Sequence, residues 1–188
     1  DSVMKSDVIF VIGANPTDGH PVFASRMKRR LREGARLIVA DPRRISLAGI
    51  AEVHLQHRPG TDVALVNGLM SVILEEGLAD TEFIEKRTED FAAFRDSLSG
   101  WTVEMAAKVS GVAVEDIRRA ARLYATTRPA MCFHGLGVTE HLQGTEGVMC
   151  LINLALVTGN LGRRGAGVNP LRGQNNVQGA AHMGCDPG

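Results

Sequence analysis

Residues 7–41 constrain the fold more tightly than any other stretch of the chain. DVIFVIG is a continuous run rich in Val and Ile, the pattern of a strand covered on both faces. GANPTDGHP follows as a loop, and Pro21 then opens a helix, because proline is tolerated at the first helical position. Along that helix Val22, Phe23, Met27 and Leu31 keep an apolar stripe. Arg26, Lys28, Arg29, Arg30 and Arg32 face outward, and Gly34 ends the helix. Residues 37–40 make a second buried strand that stops at Asp41-Pro42. Strand, helix and strand in this order form a βαβ unit.

The rest of the chain extends that unit. A short third strand is expected near residues 53–55, then the turn Arg58-Pro59-Gly60 and a helix over about 61–76 on which Val63, Val66, Leu69, Met70 and Ile73 have helical spacing. Residues 80–126 read as a helical insertion in several short pieces, with Ile117, Ala121 and Tyr124 on one face of the last. AMCFH returns to strand character and runs into Gly135-Leu136-Gly137. EGVMCLINLALVTGN is apolar nearly all round, which predicts a buried helix too short and too interrupted to span a membrane. Residues 161–188 read as a C-terminal loop. Strands alternating with helices imply an α/β fold: a three-layer αβα, Rossmann-like, mainly parallel sheet in a single domain over residues 1–188.

Composition narrows the function. Lys and Arg total 21 against 21 Asp and Glu, so the charge balance points to neither a nucleic-acid nor an anionic membrane partner. Cys132, Cys150 and Cys185 are far apart, odd in number and never in a CxxC pair, which argues against a disulfide framework or a zinc knuckle. A reducing, cytoplasmic location is the expectation. The chain begins without Met and stops in Asp186-Pro187-Gly188, so it is expected to be a piece of something longer.

In a parallel sheet, ligands bind beyond the carboxyl ends of the strands. GANPTDGHP, ADPRR and HGLGV all open there, each with an ordinary reading beside a functional one. Gly13 and Asn15 belong to a loop that either simply connects strand to helix or presents backbone N–H groups to a phosphate, and Asp18 is alternatively a helix cap. Asp41 stands where nucleotide-binding folds place an acid for a ribose or base edge. Arg43 and Arg44 reach phosphates or form a solvated turn, while Gly60, Thr61 and Asp62 are, in the simpler reading, a capped turn. His54 and His57 are three apart without a Cys or acid at metal spacing, so no metal site is expected from them. His20 and His134 lie on the same rim. Residues 169–184, NPLRGQNNVQGAAHMG, gather four carboxamides and Arg172, whose planar fork matches a carboxylate or phosphate.

These blocks, with RPGTDVAL and LVTGNLGRRGAGVNPLRGQNNVQGA in this order, resemble the large subunit of molybdenum- or tungsten-dependent formate dehydrogenases, in the molybdopterin oxidoreductase family. The resemblance covers nearly the whole chain, and AAHMGCDPG is similar to the soluble NAD-linked type. It implies the αβα domain that binds one of two molybdopterin guanine dinucleotides, with Asn15, Asp18, Asp41, Arg43, Gly60 and Asp62 toward the guanine nucleotide. It places Gly13 and Gly173 at the cofactor too, Gly135 and Gly137 near the metal centre, and Arg172 and Gln174 toward the substrate, formate. The family's iron–sulfur motif (4Fe-4S) and metal-ligating cysteine or selenocysteine precede these blocks. No metal ligand is therefore expected here, no cofactor is expected to stay bound to this piece alone, and the piece alone is expected to be inactive. Expected partners are formate, the other domains of the same subunit and electron-transfer subunits, with a nitrate reductase-like enzyme or a non-catalytic nucleotide-binding module as alternatives. Without those neighbours, residues 172–188 are expected to be mobile or displaced.

Overall fold

The computed structural model describes residues 2–185. It is built on five strands, all parallel in their pairings: β1 (Val8–Ile12), β2 (Arg36–Ala40), β3 (Val53–Leu55), β4 (Ala130–His134) and β5 (Gly167–Pro170), in the order β3-β2-β1-β4-β5. The helices are α1 (Pro16–Gly19), α2 (Pro21–Arg32), α3 (Asp62–Glu75), α4 (Thr81–Arg87), α5 (Phe91–Ser97), α6 (Val103–Ser110), α7 (Val114–Thr126), α8 (Leu136–Thr139), α9 (Gly144–Val157) and α10 (Val177–His182).

Strand alternation divides the core into two layers. Phe10, Ile12, Ile38 and Cys132 turn to the side covered by α3, α6, α7 and α9, where Phe10 meets Tyr124 edge-on with ring centroids 6.0 Å apart. Ile9, Val11, Val39 and Phe133 turn to the side covered by α2, where Phe23 lies 4.7 Å from Phe133. Both faces of β1 are thus sealed, which is why its residues are apolar without alternation.

From β1 the chain winds outward through β2 to β3, then returns through the helices α4 to α7 and enters β4 on the other flank of β1. Strand order therefore reverses between β1 and β4, and a crevice opens beyond their carboxyl ends.

Several local expectations need correction. Val22 is 76% exposed, so the buried stripe of α2 is Ala24 and Met27, flanked by the half-buried Phe23 and Leu31. Arg30 does not face outward: its guanidinium donates to Asp7 Oδ1 at 2.7 Å and to Ser6 O at 2.8 Å. Asp18 does not cap α2, whose N-cap is His20; its carboxylate accepts from Asn15 Nδ2 at 2.7 Å. α9 is not buried all round, since Met149 and Ile152 are 56% and 40% exposed. The stretch read as a C-terminal loop contains β5 and α10, and residues 186–188 lie outside those described.

Candidate functional site

Two glycine turns meet at the crevice. Gly13 N donates to Ala40 O at 3.0 Å, Gly135 N to Ile12 O at 3.3 Å and Gly137 N to Gly13 O at 3.0 Å. Gly13 has φ +55°, and a Cβ added there would lie 2.7 Å from the Gly137 carbonyl carbon. A Cβ on Gly137 would lie 2.7 Å from Gly13 O, and one on Gly135 2.9 Å from the same oxygen. Only glycine lets these backbones pass so closely. The turns lie against each other at the floor of a hollow of about 580 Å³.

Its walls carry buried acids. Asp41, 3% exposed, directly follows β2 and accepts from Arg43 N at 2.8 Å, with Arg43 Nε 3.5 Å from the same oxygen. Asp62, 6% exposed, is the first residue of α3. The loop before it is tied to the helical insertion: Arg58 N donates to Ser110 O at 2.8 Å, and Arg58 Nη1 donates to Lys108 O and Val109 O at the end of α6. Thr61 occupies the N-cap position of α3, but its side chain makes no capping bond; the hydroxyl donates back to Arg58 O at 2.6 Å. Asn15 also borders the hollow, and its Oδ1 is buried without a hydrogen-bond partner.

Of the residues selected from the sequence, Gly13, Asn15, Asp41, Arg43, Asp62, Gly135, Gly137 and Gly173 border this hollow. Asp18 and Gly60 do not; Gly60, φ +76°, shapes the turn ahead of α3. Arg172 borders a second hollow of about 450 Å³ between β5 and α9. Gln174 is exposed and borders neither.

The chain just past β5 joins the hollows. Leu171 N donates to His134 O at 2.7 Å, and the His20 ring nitrogen Nε2 lies 2.8 Å from Arg172 O. His134 shares the second hollow with Arg172; burial first, and then the nearby guanidinium, hold its pKa below the ordinary histidine value. Its Nδ1 has no partner. A neutral imidazole beside a cation leaves the positive charge of this wall to Arg172.

His57, set aside above as a metal ligand, has another role. Its side chain is 1% exposed, and Nε2 lies 3.1 Å from Asp62 Oδ1. A signal existed in the acid five residues on, across the turn that starts α3. Among the described residues no three His, Cys, Asp or Glu side chains converge to hold a metal ion. No helix among them is long and apolar enough to cross a membrane.

Comparison with known proteins adds the following. The family model for molybdopterin oxidoreductases matches residues 1–186. Formate dehydrogenase H of Escherichia coli (strain K12) is 46% identical over 187 residues, covering 100% of this chain and 26% of that protein. The F420-dependent formate dehydrogenase subunit alpha of Methanocaldococcus jannaschii is 44% identical over 187 residues, covering 100% of this chain and 28% of that protein. A nitrate reductase of Synechocystis sp. is 32% identical over 181 residues, covering 95% of this chain and 25% of that protein. Among solved structures, acetylene hydratase from Pelobacter acetylenicus superposes with a TM-score of 0.80 at 30% identity, over 86% of this chain and 22% of that one. The chain thus spans about a quarter of the length of these relatives.

Proposed function

The chain belongs to the molybdopterin oxidoreductase family, and we propose that it is the part of a formate dehydrogenase catalytic subunit that cradles one molybdopterin guanine dinucleotide and supplies the arginine that orients formate. The observation that carries this reading is the pair of hollows on either side of the segment just past β5. One has a glycine floor and acid walls, and the other carries Arg172.

The residues present fit the cofactor. The packed glycine turns line the hollow with backbone and no side chain, which suits a flat or extended group. Arg43 on the same wall suits a pyrophosphate. Asp62 would accept from the donor edge of guanine and Asp41 from ribose hydroxyls, while Asn15 Oδ1 lacks a partner such a ligand would provide. Asp18 holds Asn15, and Gly60 shapes the turn that presents Asp62. Gly135, Gly137 and Gly173 would then lie toward the pterin. Bound there with molybdenum or tungsten, the cofactor supplies the two-electron redox chemistry.

The chain's own contribution at the second hollow is electrostatic. Arg172 binds the formate carboxylate and fixes its orientation, and Gln174, two residues on, is assigned to the same ligand from the resemblance of the RGQNN segment alone. Apolar Val148, Met149 and Ile152 on the facing helix line the other side of this hollow. The 4Fe-4S cluster and the metal ligand belong, in this reading, to residues outside these 188, and electrons leave through partner subunits, NAD-linked or otherwise. The piece by itself is inactive, and the cytoplasm remains the proposed location.

Formate is favoured over nitrate because relatives named formate dehydrogenase reach 46% and 44% identity, against 32% for the Synechocystis nitrate reductase. The acetylene hydratase likeness shows that this fold also serves an enzyme with another name and reaction. The test is an assay of the full-length protein with a viologen dye. Formate-dependent dye reduction without dye-dependent nitrate reduction is expected, and the opposite pattern overturns the reading.

A further inference from the structure

His57 is buried between two acceptors. Nδ1 lies 3.3 Å from Leu55 O and Nε2 lies 3.1 Å from Asp62 Oδ1. An ionised carboxylate only accepts, so Nε2 carries a proton and donates it to Oδ1. The Asp62 side chain is 8% exposed, and among the described residues no other side chain hydrogen-bonds or ion-pairs with it. A buried carboxylate with no donor would be costly, and one free to rotate would present no fixed edge to a ligand. The Nε2 bond and the enclosure of the ring, whose side chain is 1% exposed, hold the imidazole in place, so it is a rigid support.

Both residues border the larger hollow. Rotation about the Asp62 side chain is limited by the bond from His57, which commits one lone pair of Oδ1 and leaves Oδ2 and the other lone pair of Oδ1 for a ligand. Two carboxylate oxygens held in one plane match a base with two adjacent N–H donors. They match poorly a base with one donor there, and they repel a base that offers an acceptor.

We propose that His57 is a positioning residue for the base subsite. By fixing the plane of the Asp62 carboxylate, it makes the hollow select a purine nucleotide that carries an amino group beside a ring N–H. This inference rests on the guanine-nucleotide reading of the hollow.

The test is calorimetric titration of the 188-residue chain with GDP, IDP and ADP, in the wild type and in His57→Phe and His57→Gln. IDP lacks the exocyclic amino group, and ADP offers an acceptor at the ring position. The wild type is expected to prefer GDP over both. His57→Phe keeps a ring but removes the donor, so the GDP-to-IDP preference should fall about tenfold. His57→Gln keeps an N–H for Asp62 and should restore most of the preference. A variant with a lower Tm but an unchanged GDP-to-IDP ratio shows His57 to be structural only and overturns the proposal. Should His57→Phe fail to fold, His57→Leu gives the same comparison with less volume. A wild type with no preference for GDP over ADP overturns the guanine reading itself and the inference with it. A selective wild type whose ratio survives His57→Phe overturns the inference alone.

Discussion

Gly13→Ala is expected to destabilise the chain by about 3–5 kcal/mol, or to prevent folding, because two separate penalties add. The first is conformational: φ is +55° at this position, in the left-handed region where a Cβ meets its own backbone. The second is steric. The added methyl would lie 2.7 Å from the Gly137 carbonyl carbon and 2.8 Å from Val138 N, and backbone atoms cannot swing aside as a long side chain does. Relief would have to come from separating the β1 and β4 turns, which breaks the bond from Gly137 N to Gly13 O at the floor of the hollow. Gly49→Ala is the control, since its Cβ would meet nothing within 4 Å and no positive φ is involved. Urea unfolding should show a change of about 0.5 kcal/mol or less there. Equal, small effects at both positions would remove the argument that the floor is shaped by steric exclusion.

Arg172→Lys in the full-length protein should lower kcat/KM for formate by about 10²–10³-fold, the loss typical of removing a main electrostatic contact to the reacting group. Lysine keeps the charge but not the planar fork that holds both carboxylate oxygens. His134 cannot substitute, because burial and the neighbouring guanidinium disfavour its charged form. Steady-state kinetics in the variant settle the matter, and wild-type values would remove Arg172 from formate binding.

How much of this was legible in the sequence differs element by element, for physical reasons. β1 and β2 could be read because helices cover both sheet faces, which demands unbroken apolar runs. β5 could not: Gly167, Asn169 and Pro170 are poor strand formers, and the segment is extended because β4 offers it a partner along the edge, Met131 opposite Gly167 through His134 opposite Pro170. Proline is tolerated as its last residue because an edge strand need not donate on both sides. α10 buries no residue, and its apolar spacing, Val177 with Ala180 and Ala181, is too short and too small-sided to announce a helix. The outward arginines of α2 were overcounted because composition does not reveal that Asp7 waits beside Arg30.

The rim loops were legible as a group, since a parallel sheet places its strand-end loops together, and most of the selected residues do border one hollow. What each contributes was not. His57 was weighed as a metal ligand and set aside, whereas its partner is the carboxylate that the turn into α3 brings within 3.1 Å. Arg172 and Gln174 were placed at one pocket on a shared motif, but two residues along an irregular chain are enough to put Arg172 on the second hollow and Gln174 on neither.

Hydrogen–deuterium exchange on the 188-residue chain, with GDP and with ADP, tests the central claim that the crevice between β1 and β4 is a guanine-nucleotide cradle. GDP should slow exchange at residues 13–15 and 60–62 together, and ADP should not. Protection confined to another face, equal protection by ADP, or none with GDP would contradict it.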